Sequence, residues 1–390
     1  MTEPRDSQAE HQRLWLRLEP VDTLFFRDGR PFDPASRATS GLPNPQTLAG
    51  ALRTEMLRRA DIDLAQMTDH IRNGDRFETA AARVGGSIGE QIAKVCFRGP
   101  HIGRTRERAG AVSRQDTLFY PAPATLRRLI KREAGDDIVR LDPAGPDLSL
   151  PGWTPQADGL VPLWTRSGHV LKPLDRKTWI TGEGLSTFLS GAIPSGSDLV
   201  SSDDLYGFED RTGIAVAPET GTAAEGMIYA TRRLVLRSGV YFRARLEGSP
   251  EALDLLPKQN EARLLPFGGE GRQVVVTGFD AGDAPVRAEP ATGTSRETRG
   301  KCLVLVTPAF FQGWHPPDID LLAAAVPDHV PVSGWDLARG GPKPTRFAIA
   351  AGSVYFLPPG VDAGPISGLG DARDTSLGWG EFHKGAWQHA

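Results

Sequence analysis

Cysteine is nearly absent from this 390-residue chain. Cys96 and Cys302 stand far apart, with no C-x-x-C pair and no histidine-rich partner motif. That excludes a disulfide scaffold and speaks against a structural zinc site. Lysine is scarce too, 8 residues against 37 arginines. Long apolar runs are missing: Cys302–Val306, Leu321–Val326 and Phe347–Leu357 fall far short of the ~20 residues a membrane helix needs. The opening MTEPRDSQAEHQR is charged and polar, unlike a signal peptide. A cytoplasmic chain with no membrane contact is the expectation. The formal net charge of −3 excludes a globally basic nucleic-acid coat.

Glycine and proline are what the chain has in excess, 44 and 32 residues. Together they make up about one residue in five, above the usual ~12%. Loops wrapped around modest sheets fit this composition, whereas a long helical bundle does not. The arginines cluster locally. Arg98, Arg104, Arg106, Arg108 and Arg114 face a single Glu107, and Arg127, Arg128, Lys131 and Arg132 follow. Such stretches on a near-neutral chain suggest a polyanion bound along one track.

Leu14–Leu18 alternates with period two, as a half-buried strand does. The loop Leu24–Phe32 follows, with a turn at Asp28-Gly29. Asn44 as N-cap and Pro45 at the first helical position open a helix whose Leu48, Leu52 and Met56 form one stripe. Residues 61–208 read as a partly helical insertion, with helices near Asp61–Ile71, Thr79–Val95 and Gly184–Leu189. Beyond it, Arg211–Val216 reads as a short strand. Met227–Leu236 and Val240–Leu246 read as a hairpin turned at Ser238-Gly239, followed by a short helix near Pro250–Leu256 and a strand at Gln273–Thr277. Residues 280–300 are the best linker. Then the plan repeats: strand Lys301–Thr307, a short helix at Ile319–Val326, and a hairpin of Phe347–Ala350 with Val354–Leu357. Ser-Gly-Val-Tyr-Phe at 238–242 and Gly-Ser-Val-Tyr-Phe at 352–356 echo one another. The order predicts an α+β protein of tandem ferredoxin-like domains, 1–285 with the insertion at about 61–208, and 286–390.

Two local features can hold an anion. The glycine loop Phe267–Arg272 either cradles phosphate on its backbone N–H groups or is a hairpin connection that needs positive φ. It matches neither G-x-G-x-x-G nor G-x-x-x-x-G-K-[ST]. The helix start at Asn44–Thr47 favours an anion through its free N–H groups and dipole. Gly50, in mid-helix, points to close approach of another backbone. Trp379 is the aromatic expected to stack on an unpaired base. The eight histidines form no H-E-x-x-H, and the neighbouring pairs Asp69-His70 and Asp328-His329 read as solvated surface. No catalytic set, metal site or cofactor is expected.

Leu18–Phe32 followed by Pro45–Arg53 resembles the third subunit of Cmr complexes, the type III-B CRISPR effectors, within the RAMP superfamily. The similarity continues through Asp210–Ile214, Thr220–Tyr229, Gly268–Arg272 and Gly378–Phe382, while residues 61–208 match weakly. The resemblance implies a non-catalytic, RRM-like subunit that binds the 5′ tag of the CRISPR RNA. Its partners would be the large polymerase-like subunit and the backbone RAMP subunit, in a hetero-complex and not as a homo-oligomer. On that reading the RNA-binding residues are Arg27, Arg30, Gln46, Thr47, Arg53, Arg211, Gly268, Gly269, Gly271, Arg272, Gly378, Trp379 and Gly380. The alternative is a RAMP-type endoribonuclease that processes CRISPR RNA with a histidine as base.

Overall fold

Period-two alternation in the first strand sets up the whole first sheet. Leu16 and Leu18 are fully buried and face the helices, while Trp15 and Arg17 point to the opposite side. In the computed structural model the described residues are 12–26, 40–106, 115–130, 137–146, 148, 152, 159–165, 167–216, 219–279, 299–317, 319–336, 338–362 and 368–389. The first part comprises β1 (Gln12–Pro20), α1 (Pro45–Arg59), α2 (Leu64–Arg72), α3 (Phe77–Lys94), β2 (Cys96–Arg106), β3 (Gln115–Pro121), β4 (Thr178–Thr181), α4 (Gly182–Leu189) and β5 (Leu199–Ser201). It continues with β6 (Tyr206–Val216), β7 (Ala223–Leu236), β8 (Val240–Gly248), α5 (Pro250–Leu253), β9 (Ala262–Pro266) and β10 (Gln273–Phe279). The second part has β11 (Arg299–Leu305), β12 (Ala323–Ala325), β13 (His329–Val332), β14 (Arg346–Ile349), β15 (Val354–Phe356), α6 (Ala372–Ser376) and β16 (Phe382–Gln388). Between β3 and β4 lies a small sheet of Leu126–Leu129, Ile138–Arg140 and Leu171–Pro173.

The result is a mixed α/β fold of antiparallel sheets with few helices. The main sheet runs β5-β4-β3-β2-β8-β1-β10-β9. A second, four-stranded sheet runs β12-β15-β11-β16. Within the main sheet β2-β8-β1-β10 stand in the same relative order, so both sheets place the first strand between the third and fourth. Leu16, Leu18, Phe242, Ala244, Leu246, Val274 and Val276 from the strands pack on Leu48, Leu52 and Met56 of α1. Each fully buried leucine, valine, phenylalanine or methionine among them contributes about 1.5–3 kcal/mol. No helix among the described residues is long and apolar enough to cross a membrane.

Several local expectations change. Met227–Leu236 and Val240–Leu246 are not a hairpin: β7 pairs with β6, and β8 pairs with β1 and β2. The Arg211–Val216 strand is longer than expected and forms with β7 a separate two-stranded arm. In the second half, Phe347–Ala350 likewise pairs with β13, while Val354–Leu357 enters the four-stranded sheet. The short helix expected at Ile319–Val326 is the strand β12, whose alanines sit against Val354 and Phe356. In all these cases cross-strand partners, absent from local periodicity, decided the outcome. Residues 61–208 supply α2, α3 and four strands of the main sheet. Phe188 and Leu189 of α4 cover one face of the second sheet, against Cys302 and Trp387. The helix at Thr79–Val95 is there, kinked at Gly86. The Asp28-Gly29 turn and most of the 280–300 linker lie outside the described residues.

Candidate functional site

The start of α1 opens onto a cleft of about 1640 Å³ between the main sheet with its helices and the second half. Asn44 Oδ1 accepts from the Thr47 amide at 3.2 Å and from its hydroxyl at 2.9 Å, which fixes the first turn. Gln46 Nε2 donates to Ser333 O across the cleft at 3.1 Å, so the two walls are tied at the helix start. Phe25 and Phe26 line the floor with Gly268 and Gly269. The Gly269 amide donates to Phe25 O at 2.8 Å. At Gly268 (φ +88°) a Cβ would lie 2.5 Å from that same oxygen, so only glycine lets the loop pack there. The far wall carries Val330, Pro331, Trp335 and Lys343.

Charge in the cleft is one-sided once pairs are taken out. Glu55 pairs with Arg263 at 3.6 Å and Asp336 with Arg339 at 3.7 Å. Arg58 and Lys343 line the cleft, are exposed, and have no ion-pair partner among the described residues. Trp335 offers an indole that is 57% exposed. Gly50 also lines the cleft, and a Cβ there would have nothing within 4 Å. The expected approach of another backbone at Gly50 is therefore not made by the described residues.

Of the residues singled out from sequence, Gln46, Thr47, Gly268, Gly269 and Trp379 are brought together on this cleft. Arg27 and Arg30 lie outside the described residues. Arg53 points into the core: it donates to Ala93 O at 3.2 Å and stacks over Phe77 and Phe97 at 4.8 and 5.2 Å. Burial pulls its pKa down to about 10, and it is a packing cation rather than an RNA contact. Arg211 sits on the β6–β7 arm, paired with Glu209 at 2.8 Å. Arg272 pairs with Asp22 at 3.0 Å, and Gly271 is an exposed turn residue. The Phe267–Arg272 loop connects β9 to β10 and is the hairpin connection, with φ positive at Gly268, Glu270 and Gly271.

The second glycine loop is an interior joint. The amides of Gly378, Trp379 and Gly380 donate to Thr375 O, Asp374 O and Pro308 O at 3.1, 3.2 and 2.8 Å. They are spent on carbonyls and cannot cradle a phosphate. Trp379 is 1% exposed and packs on Phe310 with centroids 4.5 Å apart. A base cannot stack on it, because both its exposure and its ring face are already used. The basic stretch at 98–114 is similarly divided. Arg98 is buried and donates to Thr375 O at 2.9 Å, which docks α6 on β2, and Arg108 and Arg114 lie outside the described residues.

Sequence neighbours also misdirect the search for acid–base pairs. His101 Nε2 and Glu381 Oε2 meet at 2.9 Å across the junction of the two halves, and Oε2 also accepts from the Gly99 amide at 3.1 Å. Burial alone would raise the Glu381 pKa, but His101, His383 and Arg98 hold it down at about 2. Burial lowers His383 to about 4, and its Nε2 is buried without a partner. Only the tertiary fold joins residues 280 positions apart. Arg58, Trp335 and Lys343 were missed for the same reason.

The fold and cleft sit on a protein of the CRISPR-associated class. A family model described as "CRISPR-associated protein (Cas_Cmr3)" matches residues 16–387. The chain belongs to this Cas_Cmr3 family and is a subunit of a type III-B effector. No curated protein matches it. Among solved structures it is similar to a chain of "the Type III-B Cmr-beta bound to cognate target RNA", at 16% identity and TM-score 0.46, covering 88% of this chain and 86% of that one. It is also similar to a chain of the "Csm1-Csm4 cassette in complex with pppApA", at 12% identity and TM-score 0.33, covering 90% and 92%.

Proposed function

We propose that this chain holds the 5′ tag of the CRISPR RNA within the effector and does no chemistry on it. On this reading it docks the large polymerase-like subunit and the backbone RAMP subunit. Its two sheets, with their shared strand order, are tandem ferredoxin-like units, the second having lost its first helix. The observation that carries the proposal is the cleft. Two cations without an ion-pair partner among the described residues, Arg58 and Lys343, flank an exposed indole and a helix face opened by Gly50, a combination suited to the phosphates and bases of an unpaired strand.

The test is guide occupancy of an effector assembled with Arg58→Glu and Lys343→Glu together. Occupancy is expected to fall while circular dichroism stays unchanged. Full occupancy, with no guide cross-link to this subunit, would sink the proposal. The endoribonuclease reading has one supporting observation, that His101 lines the cleft with Glu381 behind it. Incubation of the pure chain with repeat RNA, without metal, decides between them. Intact RNA supports the holding role, and a discrete product lost in His101→Ala supports the nuclease.

A further inference from the structure

The far wall of the cleft is a hairpin that leaves the core. Between β13 and β14 the chain runs out through residues 333–345, where Trp335 pairs with Pro342 and Asp336 with Gly341. Its root is anchored. Val332 and Ala348 are buried with Phe310 and Trp379, and Arg346 pairs with Asp374 at 2.6 Å and stacks over Phe310 at 3.6 Å. Beyond the root that burial stops: residues 333–336 and 338–345 are all half-buried or exposed.

The hairpin holds its own shape. The Lys343 amide donates to Gly334 O at 2.7 Å, and the Ser333 hydroxyl donates to Lys343 O at 3.0 Å. Asp336 Oδ1 accepts from the amides of Ala338 and Arg339, both at 3.1 Å. Two hydrogen bonds fasten the hairpin to the first half, both onto its backbone carbonyls. Gln46 of α1 donates to Ser333 O at 3.1 Å, and Arg72 of α2 donates through Nε to Ala338 O at 2.5 Å. A Cβ at Gly334 would lie 3.2 Å from the Gln46 amide nitrogen, so the glycine leaves room for the first fastener. A segment that is bonded within itself but buries little apolar surface opens cheaply and as a unit.

We propose that residues 333–345 form a strap that opens and shuts over the cleft, fastened by Gln46 and Arg72, and that it gates the passage of a chain-like ligand. With both fasteners made the cleft still measures about 1640 Å³, so a shut strap covers an occupant without displacing it. Trp335 and Lys343 line the cleft from the strap itself, so opening withdraws the far wall together with its ring and its charge. Arg72 lies outside the cleft lining, with a side chain that is 56% exposed, and acts on the cleft only through the strap. The inference rests on the RNA-holding reading solely for the identity of the occupant.

The experiment reads access to the cleft in the full chain without any ligand. Gly50→Cys places a thiol on the cleft side of α1, where a Cβ has free space. Cys96→Ser removes the half-buried native thiol, and Cys302 is buried. The rate of labelling is measured with a small reagent, methyl methanethiosulfonate, and with a bulky one, a maleimide carrying poly(ethylene glycol). Adding Arg72→Ala is expected to speed the bulky reagent about tenfold, because loss of one such bond shifts an opening equilibrium by about that factor. The small reagent should keep its rate. Gly334→Ala, which crowds the Gln46 amide, should act in the same direction and decides the matter if Arg72→Ala does not fold. An unchanged rate for the bulky reagent in the folded variants overturns the inference. Equal acceleration of both reagents overturns it too, since that reports a loosened α1 and not a moving strap. The holding reading is tested separately in the assembled effector, where bound guide should shield the Gly50→Cys thiol from both reagents. A thiol left unshielded removes the guide as occupant, while the effect of Arg72→Ala in the free chain still decides the strap.

Discussion

A glycine inside a helix costs about 1 kcal/mol relative to alanine, so one with free space around it calls for a reason outside the chain. Gly50 is such a residue, and its cleft-facing position supplies the reason. Gly50→Ala is expected to raise stability by about 1 kcal/mol in urea titration and to lower guide occupancy. A gain in both would detach Gly50 from the ligand. Trp335→Ala, at an exposed position, should leave the melting temperature within a degree or two while removing guide cross-links on that wall. His383 makes a pH prediction. Its folded pKa of about 4 lies below the ordinary imidazole value, so the folded state disfavours the proton. The stability it contributes is complete above about pH 6.5 and is lost as pH falls through 6.5 toward 4, by on the order of 3 kcal/mol. Glu381, held near 2, loses its contribution only as pH falls from about 4.5 toward 2, so the two windows are separable. A melting temperature flat from pH 7 to pH 4, or a His383→Gln protein with the same acid slope, contradicts the assignment.

Elements with similar sequence do different work here. Both glycine loops follow the same local text and both use positive φ, yet one is a surface hairpin turn and the other a packed joint. Gly271 has open space around it, whereas a Cβ at Gly380 would collide with the Leu369 backbone. Gly271→Ala should therefore cost only the backbone strain, about 1–2 kcal/mol. Gly380→Ala should cost about 3 kcal/mol or more, as overpacking adds to strain. Comparable denaturation midpoints for the two variants would mean that the second loop is looser than its hydrogen bonds indicate. The β6–β7 arm shows the same independence of local text. Its strands read as separate pieces of two motifs, and cross-strand pairing over residues 206–216 and 223–236 made them one ribbon.

At the scale of the molecule, the two halves are joined through the buried His101–Glu381 hydrogen bond and through shared cores. Tyr120 and Ile180 from the main sheet pack with Cys302 and Trp387 from the second. Glu381→Gln leaves His101 and the Gly99 amide facing a weaker acceptor in a buried site. It should cost about 3 kcal/mol in global unfolding without altering the RNA contacts proposed for Arg58 and Lys343. The amino-acid sequence by itself determined the family resemblance, the loop-rich composition, the β1–α1 opening and the α2–α3 pair. Those features depend on composition and on spacings of a few residues, which the chain carries locally. It also determined that Asn44 caps α1, whereas the Gly268–Gly271 loop stayed open between a phosphate cradle and a hairpin turn until the strand pairing made it the hairpin. The tertiary structure decided which strand pairs with which, and so dissolved the two expected hairpins. It decided that Arg53 and Trp379 are buried while Arg58 and Trp335 face the cleft. It set Arg243 opposite Arg17 in the β1–β8 register. Burial and counter-charge depend on residues hundreds of positions away, and no local period encodes which of many arginines will find a carboxylate.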